Sequence, residues 1–271
     1  MANRCIFKMD HAQIELAVLR LRPDWVLADL TICEFLEGGY SNDNYRISYK
    51  GEEFALRLPQ RTQPYVDRFR EKEWYARLPE TVGIRPTVLD AASGCMLSPW
   101  VEGTLLVDCW GSFCSDDLID YLVDLHTALP DPGRNYVMQD LLDSYSSGSY
   151  SAADVPNEHR QSCHNDLNPW NIIINETGWL TLDWEFAGKN DPIFDLVSLH
   201  QGLGCAEDQL NDLAYAYVTA MNLHVQNLQQ RTAEQLKNYW LREYAWARYQ
   251  LTIGNSRQEI IDQAESALSH L

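Results

Sequence analysis

The sequence predicts an α+β chain of two lobes, a small β-rich lobe over 1–98 and a larger helical lobe over 104–271, joined through 99–103. Three observations carry this. Short strand-like runs alternate with turn signals through the first hundred residues. Long stretches at helical spacing fill the chain after 209. A length of 271 residues also suits two lobes with a cleft between them.

The elements follow in order. Residues 31–36, 44–49 and 53–58 read as strands, the last two turning at Lys50-Gly51. A helix is expected over 66–78, then a strand pair, 87–90 and 95–98, turning at Ser93-Gly94. Ser115 is the expected N-cap of a helix over 116–129 that stops at Pro130 and Pro132. Two apolar runs, 172–175 and 180–182, are parted by Thr177-Gly178 and form a small hairpin. Helices are expected over 209–229, 233–252 and 257–270. The stretch 144–151 is almost wholly Ser, Tyr and Gly, so 146–158 is expected to be a mobile loop.

Composition narrows the class. Hydrophobic residues make up 45% and charged residues 22%, the balance of a soluble globular chain. No stretch is long and apolar enough to span a membrane, and Met1–Asp10 lacks a signal-peptide pattern. The seven cysteines form no Cys-x-x-Cys pair, which argues against zinc and for reduced thiols in the cytoplasm. A net charge of −18 repels nucleic acid and suits a cationic small-molecule substrate.

The chemistry concentrates in 164–185. The string His164-Asn165-Asp166-Leu167-Asn168-Pro169-Trp170-Asn171 is followed, across the hairpin, by Leu182-Asp183-Trp184-Glu185. The Asp166-to-Asn171 spacing matches the catalytic loop of protein kinases. Phosphoryl transfer needs a carboxylate beside the attacking hydroxyl, and Asp166 fits. It needs Mg²⁺ on the phosphates of ATP, and the Asn171 amide and Asp183 carboxylate are hard oxygen ligands. The hairpin brings Asn171 and Asp183 to the same end of neighbouring strands. His164 is expected to brace the loop. In the first lobe, Gly38-Gly39-Tyr40-Ser41-Asn42 is a candidate phosphate-binding turn. Arg57 stands where a phosphate-binding cation belongs and needs a carboxylate partner. Glu71 shares a helical face with Trp74, Tyr75 and Leu78, the core side, whereas Glu73 points away. Glu71 is therefore the expected partner.

With these residues in place, the chain resembles the aminoglycoside phosphotransferase/choline kinase superfamily, above all its bacterial choline-kinase and thiamine-kinase branch. The resemblance runs over about 31–252. It is carried by the Gly38 turn, Arg57, Trp100-Val101-Glu102-Gly103, the catalytic loop, Leu182-Asp183-Trp184-Glu185-Phe186-Ala187-Gly188 and Asp191-Pro192-x-x-Asp195. It implies a protein-kinase-like fold with ATP between the lobes. Ser41, Asn42, Arg57 and Glu71 would then serve the phosphates, and the Pro99 carbonyl and Val101 amide the adenine edge. It also implies that Glu185 lies near the second metal or the substrate, and that Asp195 braces the catalytic loop.

For the acceptor, a quaternary or thiazolium cation would need aromatic faces and acids. Trp184, Trp240, Trp246 and Glu243 are the candidates, and thiamine or choline/ethanolamine the favoured acceptors. Thiamine is slightly preferred on the Trp-Glu-Phe-Ala string and the late Trp/Tyr-rich helix. An aminoglycoside or other alcohol is the alternative. A nucleotide-binding pseudokinase would require the loss of Asp166, Asn171 or Asp183, and all three are present.

Overall fold

Burial alternates along residues 42–49, with Tyr45 and Ile47 inside, and Phe54, Leu56 and Leu58 repeat the pattern on the next strand. That period of two fixes a hairpin with one face on a core. In the computed structural model, which describes residues 9–37, 40–61, 63–145 and 150–271, these strands sit inside an antiparallel five-stranded sheet. Its strands are β1 (Leu30–Leu36), β2 (Asn42–Tyr49), β3 (Glu52–Pro59), β4 (Val88–Leu89) and β5 (Met96–Pro99), in the spatial order β1-β2-β3-β5-β4. The β2–β3 turn places Lys50 at φ 52° and Gly51 at φ 85°, the left-handed pair that a two-residue hairpin demands.

The helix α1 (His11–Leu21) is an addition to the sequence-based elements. Asp10 and Gln13 form a reciprocal cap at its start, and Ile14, Val18 and Leu21 join the core with Trp25, Tyr45, Ile47 and Leu97. The helix α2 (Arg68–Tyr75) is shorter than expected because it starts at its Asp67 cap. Together with 84–102 these elements make up one compact unit.

The second unit comprises Pro64–Val66, Thr81–Gly83 and Gly103–Leu271. Its strands are β6 (Thr104–Leu105), β7 (Gln161–Cys163), β8 (Ile172–Asn175), β9 (Gly178–Thr181) and β10 (Gly188–Asn190). They form a three-stranded sheet, β6-β8-β9, and a β7–β10 pair. A side chain at Gly103 would put its Cβ 2.4 Å from Ile173 Cγ2 and 2.7 Å from the Ile174 carbonyl, so only glycine lets the chain enter β6 there.

The helices are α3 (Leu106–Cys109), α4 (Ser115–Ala128), α5 (Met138–Tyr145), α6 (Ile193–Gly202), α7 (Gln209–Ala220), α8 (Leu228–Thr252) and α9 (Gln258–Ser269). The cap of α4 is Cys114, one residue before the expected Ser115, because the Asp117 carboxylate reaches back to the Cys114 N–H at 2.8 Å. The expected 209–229 helix stops at Ala220, and Asn222 and Asn227 carry the break in left-handed conformations. Neither α5 nor α6 was expected. All residues of Ile193–His200 are buried, so α6 has no polar face for a helical period to reveal. The α5 face of Met138, Leu141, Leu142 and Tyr145 packs with Tyr136, Phe186, Phe194, Leu241 and Ala245 into one core. Among the described residues no helix is long and apolar enough to cross a membrane.

Candidate active site

The chain leaves β7 at Cys163 and turns through 164–171 before entering β8. Asn165 makes the turn at φ 66°, a conformation asparagine tolerates better than most residues. Its amide nitrogen donates to the carbonyls of Phe186 and Gly188, both at 3.1 Å, which ties the turn to the chain beyond β9. Asp195, in the first turn of α6, accepts the N–H groups of His164 and Asn165 at 2.8 Å each. His126 of α4 donates to the same carboxylate at 3.1 Å through Nε2 and accepts from Tyr217 at 2.8 Å through Nδ1. Burial pushes the Asp195 carboxyl up, but these donors outweigh it and hold its pKa below the usual range.

The His164 proton is placed by its partners. Nε2 lies 2.7 Å from the Leu182 carbonyl, which can only accept, and Nδ1 receives the Asp166 N–H at 3.1 Å. The ring is therefore neutral with its proton on Nε2, and it braces the loop. Trp184 packs against this ring at 4.6 Å, is fully buried, and donates Nε1 to the Thr181 carbonyl. Its assignment to a cation cage is corrected: the side chain is fully buried against His164 and presents no exposed face to an acceptor.

The Asp166 side chain is about one-fifth exposed. The Asn171 amide nitrogen donates to the Asp166 backbone carbonyl at 3.0 Å, which fixes the orientation of the amide. Leu182 donates to the Asn171 carbonyl at 2.8 Å, carrying the hairpin ladder to the point where Asp183 follows. Asp183 has φ 56°, a second left-handed non-glycine in this short stretch. One carboxylate oxygen of Asp183 and one of Glu185 lie within 4.8 Å of each other. Two carboxylates and an amide oxygen are the hard donor set that suits Mg²⁺.

Sequence reasoning missed Arg242. From α8 its guanidinium donates to Asp166 Oδ1 at 2.7 Å, to the Asn165 carbonyl, and to Glu243 Oε1 at 2.8 Å. Burial pushes the Asp166 carboxyl up, and Arg242 offsets only part of that rise. The aromatic residues of α8 divide by face. Tyr239, Trp246 and Tyr249 pack with Tyr145 on the side of the core that holds Leu241 and Ala245. Trp240 turns to the other side and is covered by His270, ring on ring at 4.0 Å. Glu243 is engaged by Arg242 and by Gln263 of α9. One face of Trp240 is thus taken by His270, and Glu243 is held within the helical pair. Residues 239, 242, 246 and 249 recur at helical spacing along one stripe of α8, so counting back four positions from Trp246 would have reached Arg242.

In the first unit, the Arg57 guanidinium meets both Glu71 oxygens, at 2.7 and 3.0 Å, and Arg68 adds a bond to Glu71 at 2.8 Å. Glu73 is exposed. Burial pushes the Glu71 carboxyl up, yet the two arginines hold it below the usual carboxylate range. Ser41 accepts from the Gln63 amide, and the Asn42 side-chain oxygen is buried with no hydrogen bond. Gly38 and Gly39 lie outside the described residues. The Trp100 backbone N–H donates to the Glu53 carbonyl at 3.0 Å, so the trans peptide turns the Pro99 carbonyl the other way, and Val101 lies just past the end of β5.

Residues 149–251 match the model of the phosphotransferase enzyme family, and this stretch holds Asp166, Asn171, Asp183 and Arg242. Protein LicA of Haemophilus influenzae is 22% identical over 68% of this chain and 62% of its own length, so the chain spans less than two thirds of that relative. The crystal structure of choline kinase LicA from Streptococcus pneumoniae superimposes with a TM-score of 0.68 at 17% identity, over 89% of this chain and 94% of that one. A structure of LicA in complex with AMP gives 0.73 at 17% identity, over 97% and 98%. The shared fold is that of the protein-kinase-like phosphotransferases, and the match to the phosphotransferase enzyme family covers residues 149–251 of the chain.

Proposed function

We propose that the chain transfers the γ-phosphoryl group of ATP to the hydroxyl of a small cationic alcohol, with choline or ethanolamine the favoured acceptors. The observation that carries this is the grouping of Asp166, Asn171 and Asp183 on one short loop and hairpin. Arg242 occupies Oδ1 of Asp166, so Oδ2 is the oxygen left to orient the acceptor hydroxyl and take its proton. Asn171, Asp183 and Glu185 would hold Mg²⁺, which when bound neutralises the phosphate oxygens. The Arg57 fork, held by Glu71, would serve the phosphates of the nucleotide. ATP as donor suits a cytoplasmic reaction.

The cationic acceptor rests on different support. The similar LicA structure is a choline kinase, and the chain carries a charge of −18. The Tyr145 ring lies tilted against Tyr249 at 5.2 Å, and burial, with the nearby charges of Glu185 and Asp166, raises its pKa. Trp246, chosen from sequence, stays in the candidate aromatic wall, and Tyr145, Tyr239 and Tyr249 join it in place of Trp184 and Trp240. A coupled ADP-release screen against choline, ethanolamine, thiamine, an aminoglycoside and an uncharged alcohol tests the reading. Choline or ethanolamine should give the highest kcat/KM. Fastest turnover of the uncharged alcohol would exclude a cationic acceptor, and no acceptor-dependent ADP release at all would exclude the transfer.

The nucleotide side has its own test. Arg57→Ala and Glu71→Gln should each raise the KM for ATP, and the double variant should lose less than the sum, by about 0.5–3 kcal/mol. Glu73→Gln should leave ATP use unchanged. Additive losses in the first two would separate Arg57 from Glu71 in function.

A further inference from the structure

We infer that Arg242 is the positioning residue for the catalytic carboxylate: it fixes which oxygen of Asp166 meets the acceptor, and it is itself fixed from α9 through Glu243 and Gln263. The inference rests on the phosphotransfer reading above and names a residue that the motifs do not contain.

The Arg242 side chain is only 11% exposed, and its hydrogen bonds reach three groups. One is the Asn165 carbonyl, the peptide oxygen directly before Asp166. The second is Asp166 Oδ1. The third is Glu243 Oε1, which takes Nε at 3.0 Å as well as a terminal nitrogen at 2.8 Å. The same planar group therefore grips the backbone and the side chain of the catalytic residue together. This matters because Asn165 is in the left-handed region, where a non-glycine residue persists only if its surroundings hold it. Phe194 lies under the guanidinium at 5.6 Å and Tyr239 at 6.0 Å, which limits its rotation.

A role confined to docking α8 is the simpler alternative, and the structure supplies that docking elsewhere. Arg231, near the start of α8, makes a two-pronged bond to the buried Asp191 just before α6. The helix is thus fastened to α6 without Arg242. What Arg242 adds is control of one carboxylate. Its own orientation is set by Glu243, whose second oxygen accepts from the Gln263 amide of α9. Lysine could supply the charge, but a single ammonium cannot reproduce a fork that spans a carbonyl and two carboxylates.

The experiment compares Arg242→Gln, Arg242→Lys, Asp166→Asn and the Asp166→Asn/Arg242→Gln double variant, with Arg231→Gln as the docking control. Kinetics use choline, or whichever cation of the screen turns over fastest, beside thermal melts. Arg242→Gln should lower kcat by about thirtyfold or more with the ATP KM within about twofold, and Arg242→Lys should recover part of that loss. The double variant should be no slower than Asp166→Asn, because Arg242 acts through that carboxylate. Arg231→Gln should lose melting temperature while kcat per folded molecule holds. Three outcomes would overturn the inference: Arg242→Gln keeping more than about a third of kcat, losses that add in the double variant, or Arg242→Lys, if it folds where glutamine does not, retaining full kcat. Each of these leaves wild-type turnover in place, whereas absence of turnover in the wild type would remove the phosphotransfer reading first and the inference with it.

Discussion

Asp166→Asn is expected to lower kcat by roughly 10²–10⁴-fold while the KM for ATP changes little. The substitution keeps the shape of the side chain, and an amide oxygen can still accept from Arg242. What it removes is the charge and the capacity to take a proton from the acceptor hydroxyl. The proposed nucleotide contacts lie at 41–101, so ATP should bind much as before. Melting should fall only modestly, because Glu243 remains as a counter-charge to the buried guanidinium. Steady-state ADP release with the acceptor found by the screen checks the result. A variant that keeps more than about a tenth of wild-type kcat would remove Asp166 from its role at the hydroxyl.

The residues differ in how legible they are, and the reason is sequence separation. Asp166, Asn171 and Asp183 fall within eighteen positions on a loop and a hairpin, so spacing alone brings them close. Glu71 can be told from Glu73 because helical geometry puts it with Trp74 and Tyr75. Arg242 lies 76 positions from Asp166, on a helix whose neighbours the sequence does not state. Its selection needs the face of α8 that packs into the core, and that depends on α5 and α6. The all-buried α6 has no period to read, so the fold there was hidden for the same reason that the site was incomplete. The aromatic wall suffered likewise. Trp184 and Trp240 stand out by residue type, but the first is core and the second is stacked on His270.

Asp183→Asn should abolish measurable Mg²⁺-ATP turnover, a loss of roughly 10³-fold or more if the metal supplies several kcal/mol of charge stabilisation. Asparagine is the sharper test than alanine. The backbone at Asp183 is left-handed, and a residue that dislikes that region would add about 1–2 kcal/mol of strain to the chemical effect. Asparagine tolerates the conformation and removes only the charge. Asn171→Ala should act more mildly, because its amide oxygen is a neutral ligand. It should raise the Mg²⁺ concentration needed for half-maximal rate, and it should also loosen the Asp166 backbone by deleting the bond from its amide nitrogen. Magnesium titrations of ADP release on the two variants, with melts to confirm folding, separate these effects. Retention of the wild-type magnesium dependence by both would show that the metal is held by neither Asp183 nor Asn171.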